Sequence, residues 1–144
     1  MAEVRGCRFP EDVYYWVDKH VWARPEGGEV VIGMTDPAQK LAGKILYVSP
    51  KKVGRSVARG ESVGTVESGK YVGPVPTPVS GEIVAVNEAL KKQGSIVNDD
   101  PYGAGWVARI RPTQLEEELK EMMTGEAAVE AYRQKLEAEN IACK

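Results

Sequence analysis

The sequence predicts a mainly β protein with peripheral helices, a flattened barrel or sandwich followed by a C-terminal helical segment. Three observations lead there. Short β-rich runs follow one another between glycine turns from Glu29 to Ile110. A pattern recurs within them: Gly43-Lys44-Ile45-Leu46-Tyr47-Val48 followed by Gly54-Arg55-Ser56-Val57 is echoed by Gly81-Glu82-Ile83-Val84-Ala85-Val86 followed by Gly94-Ser95-Ile96-Val97. Beyond Pro112 the apolar residues take up helical spacing.

Taken in order, Phe9 to Trp16 opens with a proline and two acids, which suits a first helical turn, while its aromatics suit a strand equally well. Lys19 to Arg24 and Glu29 to Met34 flank Pro25-Glu26-Gly27-Gly28 and read as a hairpin. Thr35 to Gly43 reads as a short helix, with a capping Thr or Asp, proline in the first turn and glycine at the stop. Strand-like runs follow at 44–48, 53–57 and 61–67, and each half of the repeat closes on another, Gly64-Thr65-Val66 or Trp106 to Ile110. Two similar halves imply two small sheets related by a pseudo-two-fold, over a β core of residues 14–111. At residues 113–140 the chain turns helical. Thr113 with Glu116 makes a capping box, Leu115, Leu119 and Met122 share one face, and Glu117, Glu118, Lys120 and Glu121 face water. A second helix runs from Glu126 to Glu139 with Val129, Tyr132 and Leu136 inward, stopping at Asn140. Its apolar stripe is expected to dock on this chain's own sheet, because a lone amphipathic helix needs tertiary burial to persist.

The two halves meet at Thr65-Val66-Glu67-Ser68-Gly69-Lys70-Tyr71-Val72-Gly73-Pro74-Val75-Pro76-Thr77-Pro78-Val79-Ser80-Gly81. An apolar run ends there, a lysine follows, and Pro74, Pro76 and Pro78 remove ladder donors from the return strand. The reading is a hairpin over 67–73 with Lys70 at its tip, Gly69 supplying a positive φ, and a stiff return strand at a sheet edge. A lysine in a turn is ordinarily just a solvated lysine. Trp22, Tyr102 and Trp106 read as core or loop-fastening aromatics.

With 144 residues the chain suits one domain, 1–144. A net charge of -2 advertises no nucleic-acid surface, and no apolar run approaches the roughly 18 residues of a membrane span. Met1-Ala2-Glu3-Val4-Arg5 has no apolar signal core, which implies the cytoplasm. No second large apolar surface is apparent, so a monomer is expected. One histidine, no acid–base frame and no Gly-rich phosphate loop imply a non-catalytic protein. Of the two cysteines, Cys7 and Cys143, one lies near each end. In a reducing compartment free thiols are the commoner state. Domain termini are often close, however, and a bond here, as a disulfide or redox pair, would be worth about 4–5 kcal/mol by loop entropy. With the single His20 these thiols lack metal-ligand spacing, so no metal is expected.

The wording around Lys70 resembles the lipoyl-attachment site of the glycine cleavage system H-protein family. Glu67-Ser68-Gly69-Lys70, Pro78-Val79-Ser80-Gly81-Glu82 and Val86-Asn87-Glu88 carry that resemblance. His20-Val21-Trp22, Gly33-Met34-Thr35-Asp36-Pro37-Ala38-Gln39 and Asn98-Asp99-Asp100-Pro101-Tyr102-Gly103-Ala104-Gly105-Trp106 extend it over about residues 14 to 140. The resemblance implies a barrel-sandwich hybrid, the lipoyl/biotinyl-carrier-like fold, with lipoic acid attached covalently to Lys70. It implies that Glu67 and Gly81 are read by the lipoate-attaching ligase, and that His20 lies near the docking groove of the arm. Biotin is the rival cofactor on such a fold, but biotin carriers typically place methionines around the lysine, where this chain has Gly69 and Tyr71.

Within the family, Gly69-Lys70-Tyr71, Gly73-Pro74-Val75 and the Cys7 and Cys143 pair look more like the lipoate-binding proteins of the heterodisulfide-reductase-like sulfur-oxidation system. That resemblance implies a swinging-arm carrier serving the heterodisulfide-reductase-like complex and dihydrolipoamide dehydrogenase. The alternative is the aminomethyl carrier, with glycine cleavage enzymes as partners.

Overall fold

The computed structural model describes residues 1–144. The chain begins with a small hairpin, β1 (Ala2–Val4) and β2 (Cys7–Phe9), then β3 (Tyr14–Trp16). The choice left open for this segment falls to strand: Tyr15 is buried while Tyr14 and Trp16 are only half-buried, the two-residue alternation of a pleated surface. β4 (Val21–Glu26) and β5 (Glu29–Met34) form the expected hairpin about Gly27-Gly28, both at positive φ, with Pro25 and Glu26 inside the strand. Then comes α1 (Asp36–Ala42), built as anticipated: Thr35 Oγ1 accepts the Ala38 N–H, Pro37 sits in the first turn, and Gly43 ends the helix at φ 85°.

β6 (Ile45–Pro50), β7 (Ser56–Val57), β8 (Ser62–Ser68), β9 (Val72–Pro76) and β10 (Gly81–Val86) follow. Next are two single-turn helices, α2 (Ala89–Lys92) and α3 (Ile96–Asp99), then β11 (Ala108–Pro112), α4 (Leu115–Leu119), β12 (Met123–Thr124) and α5 (Gly125–Glu139). One sheet has seven strands in the order β12-β3-β4-β5-β11-β10-β7, the other three in the order β6-β8-β9, and all pairs are antiparallel. The mainly β class with a C-terminal helix therefore stands, but the sheets are unequal.

The echo of the two halves breaks at Gly94 to Val97, where a turn at Gly94-Ser95 leads into α3 rather than a strand. That turn of helix is selected by what it meets. Asn98 Nδ2 donates to Gly43 O and Gln39 Oε1, and its Oδ1 accepts the Ile45 N–H, so α3 satisfies the end of α1 and the start of β6 together. The capping box also fails: Thr113 N–H bonds Ser80 O, and the residue preceding α4, Gln114, makes no side-chain cap. Glu118, expected to face water, is buried. Its carboxylate accepts from Ser80 N–H at 2.7 Å and from Ser80 Oγ at 2.6 Å.

The seven-stranded sheet is buried on both faces around β4 and β5. Val21, Ala23, Val30 and Ile32 point into an aliphatic core shared with the three-stranded sheet. Trp22 and Val31 point the other way, into a core with Phe9, Tyr15, Tyr132 and Leu136 under α5. The helix thus docks on its own chain, burying Tyr132 and Leu136 as expected, with Ala128 rather than Val129 as the third fully buried residue, and ends at Asn140 in the left-handed region. The sulfurs of Cys7 and Cys143 form a disulfide with Cα atoms 4.9 Å apart, so the free-thiol expectation is replaced by a covalent clasp of the two termini.

Candidate functional site

β8 and β9 pair from Ser62 to Pro76, and Lys70 stands exposed in the turn between them. β9 is the edge of its sheet, which accommodates Pro74 and Pro76 without orphaned donors. Gly69 does not take a positive φ; the tip closes instead through Ser68 N–H to Tyr71 O at 2.8 Å and Lys70 N–H to Ser68 Oγ at 3.3 Å. A Cβ on Gly69 would meet nothing, so this glycine is not sterically required. Ser68 is buried, and its hydroxyl donates to Ala42 O at 2.6 Å, tying the tip to the last turn of α1. Sequence reasoning gave Ser68 no role; its place between Glu67 and the turn was the only signal.

The lysine side chain lies along the end of that helix. A Cβ on Gly43 would come within 2.9 Å of Lys70 Cε and 3.7 Å of its Cδ and Cγ, so the absence of a side chain at Gly43 makes the bed in which the lysine rests. Tyr71 folds back over Gly73, whose missing Cβ leaves room for the Tyr71 hydroxyl. Beside this base runs a mostly apolar groove of about 180 Å³, lined by His20, Val21, Met34, Ala38, Leu41, Ala42, Tyr71 and Pro74 to Pro76, with Lys19 at its edge.

His20 lines this groove. It closes a 3-10 turn in the left-handed region, its carbonyl accepts the Thr35 N–H, and Nδ1 lies 3.3 Å from the Tyr132 hydroxyl. Burial, aided by the positive charge of Lys135, holds its pKa below the ordinary imidazole value against the opposing pull of Glu139 and Asp18, so the ring is neutral near pH 7. Glu67 is exposed on β8, directly between Tyr47 of β6 and Val72 of β9, both also exposed. Gly81 lies in the other sheet, paired with Val57 and Pro112; a Cβ there would collide with the Arg111 carbonyl, which gives this glycine a packing reason of its own. Lys70, Glu67 and the His20 groove thus gather around one hairpin, while Gly81 belongs to a different sheet. Cys7, Cys143 and Asp36 place their sulfur and carboxylate atoms within 4.8 Å of one another near the start of α1.

A rigid β body that presents one lysine on a tied hairpin beside an apolar groove has the lipoyl-carrier-like fold. The chain belongs to the glycine cleavage H-protein family: the family model described as "Glycine cleavage H-protein" matches residues 14–135. It is 46% identical over 147 residues to glycine cleavage system H protein 5 of Aquifex aeolicus, with 99% of each chain covered. It is 45% identical to probable glycine cleavage system H protein 2 of Sulfolobus acidocaldarius, over 100% of this chain and 98% of the relative. Its fold is similar to the crystal structure of a glycine cleavage system H protein from Mycobacterium marinum, with a TM-score of 0.74, 35% identity, and 86% and 98% of the two chains covered.

Proposed function

We propose that this protein is a lipoyl carrier modified on Lys70, with aminomethyl carriage in glycine cleavage as its system. The observation that carries the attachment site is the lysine bed: Lys70 is exposed, its base is hydrogen-bonded to α1 through Ser68, and its methylenes cross a position where only glycine leaves space. These residues fit a lipoyl group, since Lys70 is exposed and an apolar groove adjoins its base. When bound, the group supplies a dithiolane that interconverts disulfide and dithiol. The chain's own residues supply a firm base and a path: Ser68 fixes the tip, Tyr71 and Pro74 wall the groove, and Glu67 offers an exposed carboxylate to the ligase that attaches the arm. Tethering raises the group's effective concentration at successive partner enzymes.

The decisive experiment is the intact mass of protein expressed with lipoic acid and a lipoate ligase, followed by peptide mapping. One lipoyl amide confined to the Lys70 peptide is expected, and an increment on any other lysine overturns the assignment. The relatives' names favour glycine cleavage as the system. One observation favours the sulfur-oxidation reading instead: the polar side chains in the groove wall are Lys19, His20 and Tyr71, with no carboxylate, so a basic aminomethyl cargo finds no anionic partner there. Lipoylated protein incubated with the glycine decarboxylase should support exchange of the glycine carboxyl carbon. Exchange no greater than a carrier-free blank would remove the aminomethyl reading and leave the heterodisulfide-reductase-like complex as the partner to assay, with dihydrolipoamide dehydrogenase.

A further inference from the structure

We infer that a dithiol arm on Lys70 exchanges two electrons with the Cys7–Cys143 disulfide of its own chain; the inference rests on the lipoyl-carrier reading above. Helix α1 connects the two sites. Asp36, Gln39 and Gly43 fall at i, i+3 and i+7, on one face of the helix. Lys70 Cε lies against Gly43 at one end of that face, and the Asp36 carboxylate lies beside the two sulfurs at the other. Between them the surface is concave: a groove of about 280 Å³ is lined by Asp36, Gln39, Asn98, Tyr102 and Cys143, separate from the apolar groove at His20. Asn98 in its wall donates to the Gly43 carbonyl, so one wall of the groove reaches to the residue on which Lys70 lies.

The lengths agree. The seven residues of α1 span about 10 Å. From Cε to the first sulfur, a lipoyl amide adds about eight bonds, on the order of 10 Å extended, and the lysine methylenes add further swing. Cys7 is fully buried, whereas Cys143 is partly exposed and lines the groove, so the sulfur presented to an incoming thiolate is Cys143 Sγ.

The exchange balances without another reagent. A thiolate of the reduced arm attacks Cys143 Sγ, the Cys143–Cys7 bond breaks, and Cys7 leaves as a thiolate that takes up a proton. The second arm thiol then displaces Cys143, closing the dithiolane and releasing a second thiol. Two electrons and two protons have passed from arm to cysteines, and the same steps reversed return them. Opening the bond does not release the termini. Arg5 Nε still donates to Ile141 O at 2.7 Å, Arg5 Nη2 to Asn140 Oδ1 at 2.9 Å, and Cys143 N–H to Arg5 O at 3.0 Å, so the thiols stay juxtaposed for the return step.

The test uses the full chain, lipoylated and verified by mass at Lys70, mixed with NADH and dihydrolipoamide dehydrogenase, which acts on the arm. Thiols are alkylated at intervals and mapped. Cys7 and Cys143 are expected to become alkylated in lipoylated protein, with a rate constant unchanged by tenfold dilution of the carrier at fixed dehydrogenase and NADH, and to stay linked in unlipoylated protein and in Lys70→Arg. In the reverse direction, fully reduced protein freed of reductant and given limiting NAD+ and the same enzyme should re-form the Cys7–Cys143 bond only when lipoylated. Exchange in either direction supports the relay. Labelled arm thiols with an untouched cysteine pair in both directions overturn it, as does a rate constant that falls in proportion to carrier dilution at fixed dehydrogenase. A chain that accepts no lipoyl group overturns the carrier reading itself, a result the mass measurement separates from failure of the relay.

Discussion

The two faces of the seven-stranded sheet are built from different materials. Toward the three-stranded sheet the fully buried side chains are Val, Ile, Leu, Met and Ala, with no aromatic ring among them. Toward α5 they include Phe9, Tyr15, Trp22, Tyr102 and Tyr132, in stacked and edge-on contacts such as Phe9 on Tyr132 at 4.5 Å. The aliphatic side is shape-filling and non-directional. On the aromatic side each polar tip has a partner: Trp22 Nε1 donates to Met34 O and Pro101 O, Tyr15 to Pro10 O, and Tyr102 to Arg8 O while accepting the Asp36 N–H, and the Tyr132 hydroxyl lies 3.3 Å from His20 Nδ1. Burial pushes the three tyrosine pKa values well above the ordinary phenol, so these hydroxyls remain donors at any working pH. The directional face therefore fixes where α1 begins, and α1 in turn fixes the lysine bed at its far end. Position is supplied by the aromatic side and bulk burial by the aliphatic one.

That contrast breaks if truncation costs the same on both faces. Trp22→Ala removes a fully buried indole and leaves two carbonyls without their donor, and is expected to cost about 3–5 kcal/mol. Ile83→Val, equally buried in the aliphatic core, is expected to cost about 0.5–1.5 kcal/mol. Chemical denaturation of both variants checks this, and equal losses would mean that the polar tips add nothing. Next in size is the clasp. Cys143→Ser opens a bond across 136 residues and should cost about 2–4 kcal/mol, somewhat below the loop-entropy figure because Arg5 still bridges the termini. A loss below about 0.5 kcal/mol would assign the clasp to redox exchange rather than stability. Glu118→Leu leaves Ser80 N–H and Oγ without their acceptor, for about 1–3 kcal/mol; an unchanged denaturation midpoint would show that water replaces the carboxylate.

The same contrast explains what could be read in the sequence. The aliphatic face announces itself through period-two runs, and α1 through Thr35, Pro37 and Gly43, because those signals are local. The lysine hairpin was legible too, from its prolines and its flanking motif. What could not be read depended on partners far along the chain. Gly33 is needed because the Trp22 indole fills its Cβ position from the neighbouring strand. α3 forms so that Asn98 can reach the end of α1, and Glu118 is buried because Ser80 waits 38 residues earlier. Gly69, assigned a positive φ on residue type alone, proved to be in an ordinary turn because Ser68 supplies the closing hydrogen bonds. The disulfide stayed open in the sequence for the same reason: it depends on the N-terminal hairpin meeting the residues after α5.

The smallest effect sharpens the comparison at the point where both faces meet. His20 lines the groove beside Lys70 and stacks on Tyr132 from the aromatic side, with ring centroids 5.8 Å apart. Its pKa is lowered in the fold, chiefly by burial and then by Lys135, so below about pH 6.5 the unfolded chain binds a proton that the folded one resists. Stability is accordingly full above that pH and is lost as pH falls toward the folded pKa. The acidic groups with resolved shifts, Glu26 and Glu139, are both lowered from 4.5 and act below that window, which leaves the region just under pH 6.5 to the histidine. His20→Gln should flatten the decline in denaturation midpoint between pH 7 and pH 5, whatever it does to the midpoint at pH 7. An identical slope in the variant would show that the ring is protonated without cost, and that the groove beside the lysine is wetter than its apolar lining implies.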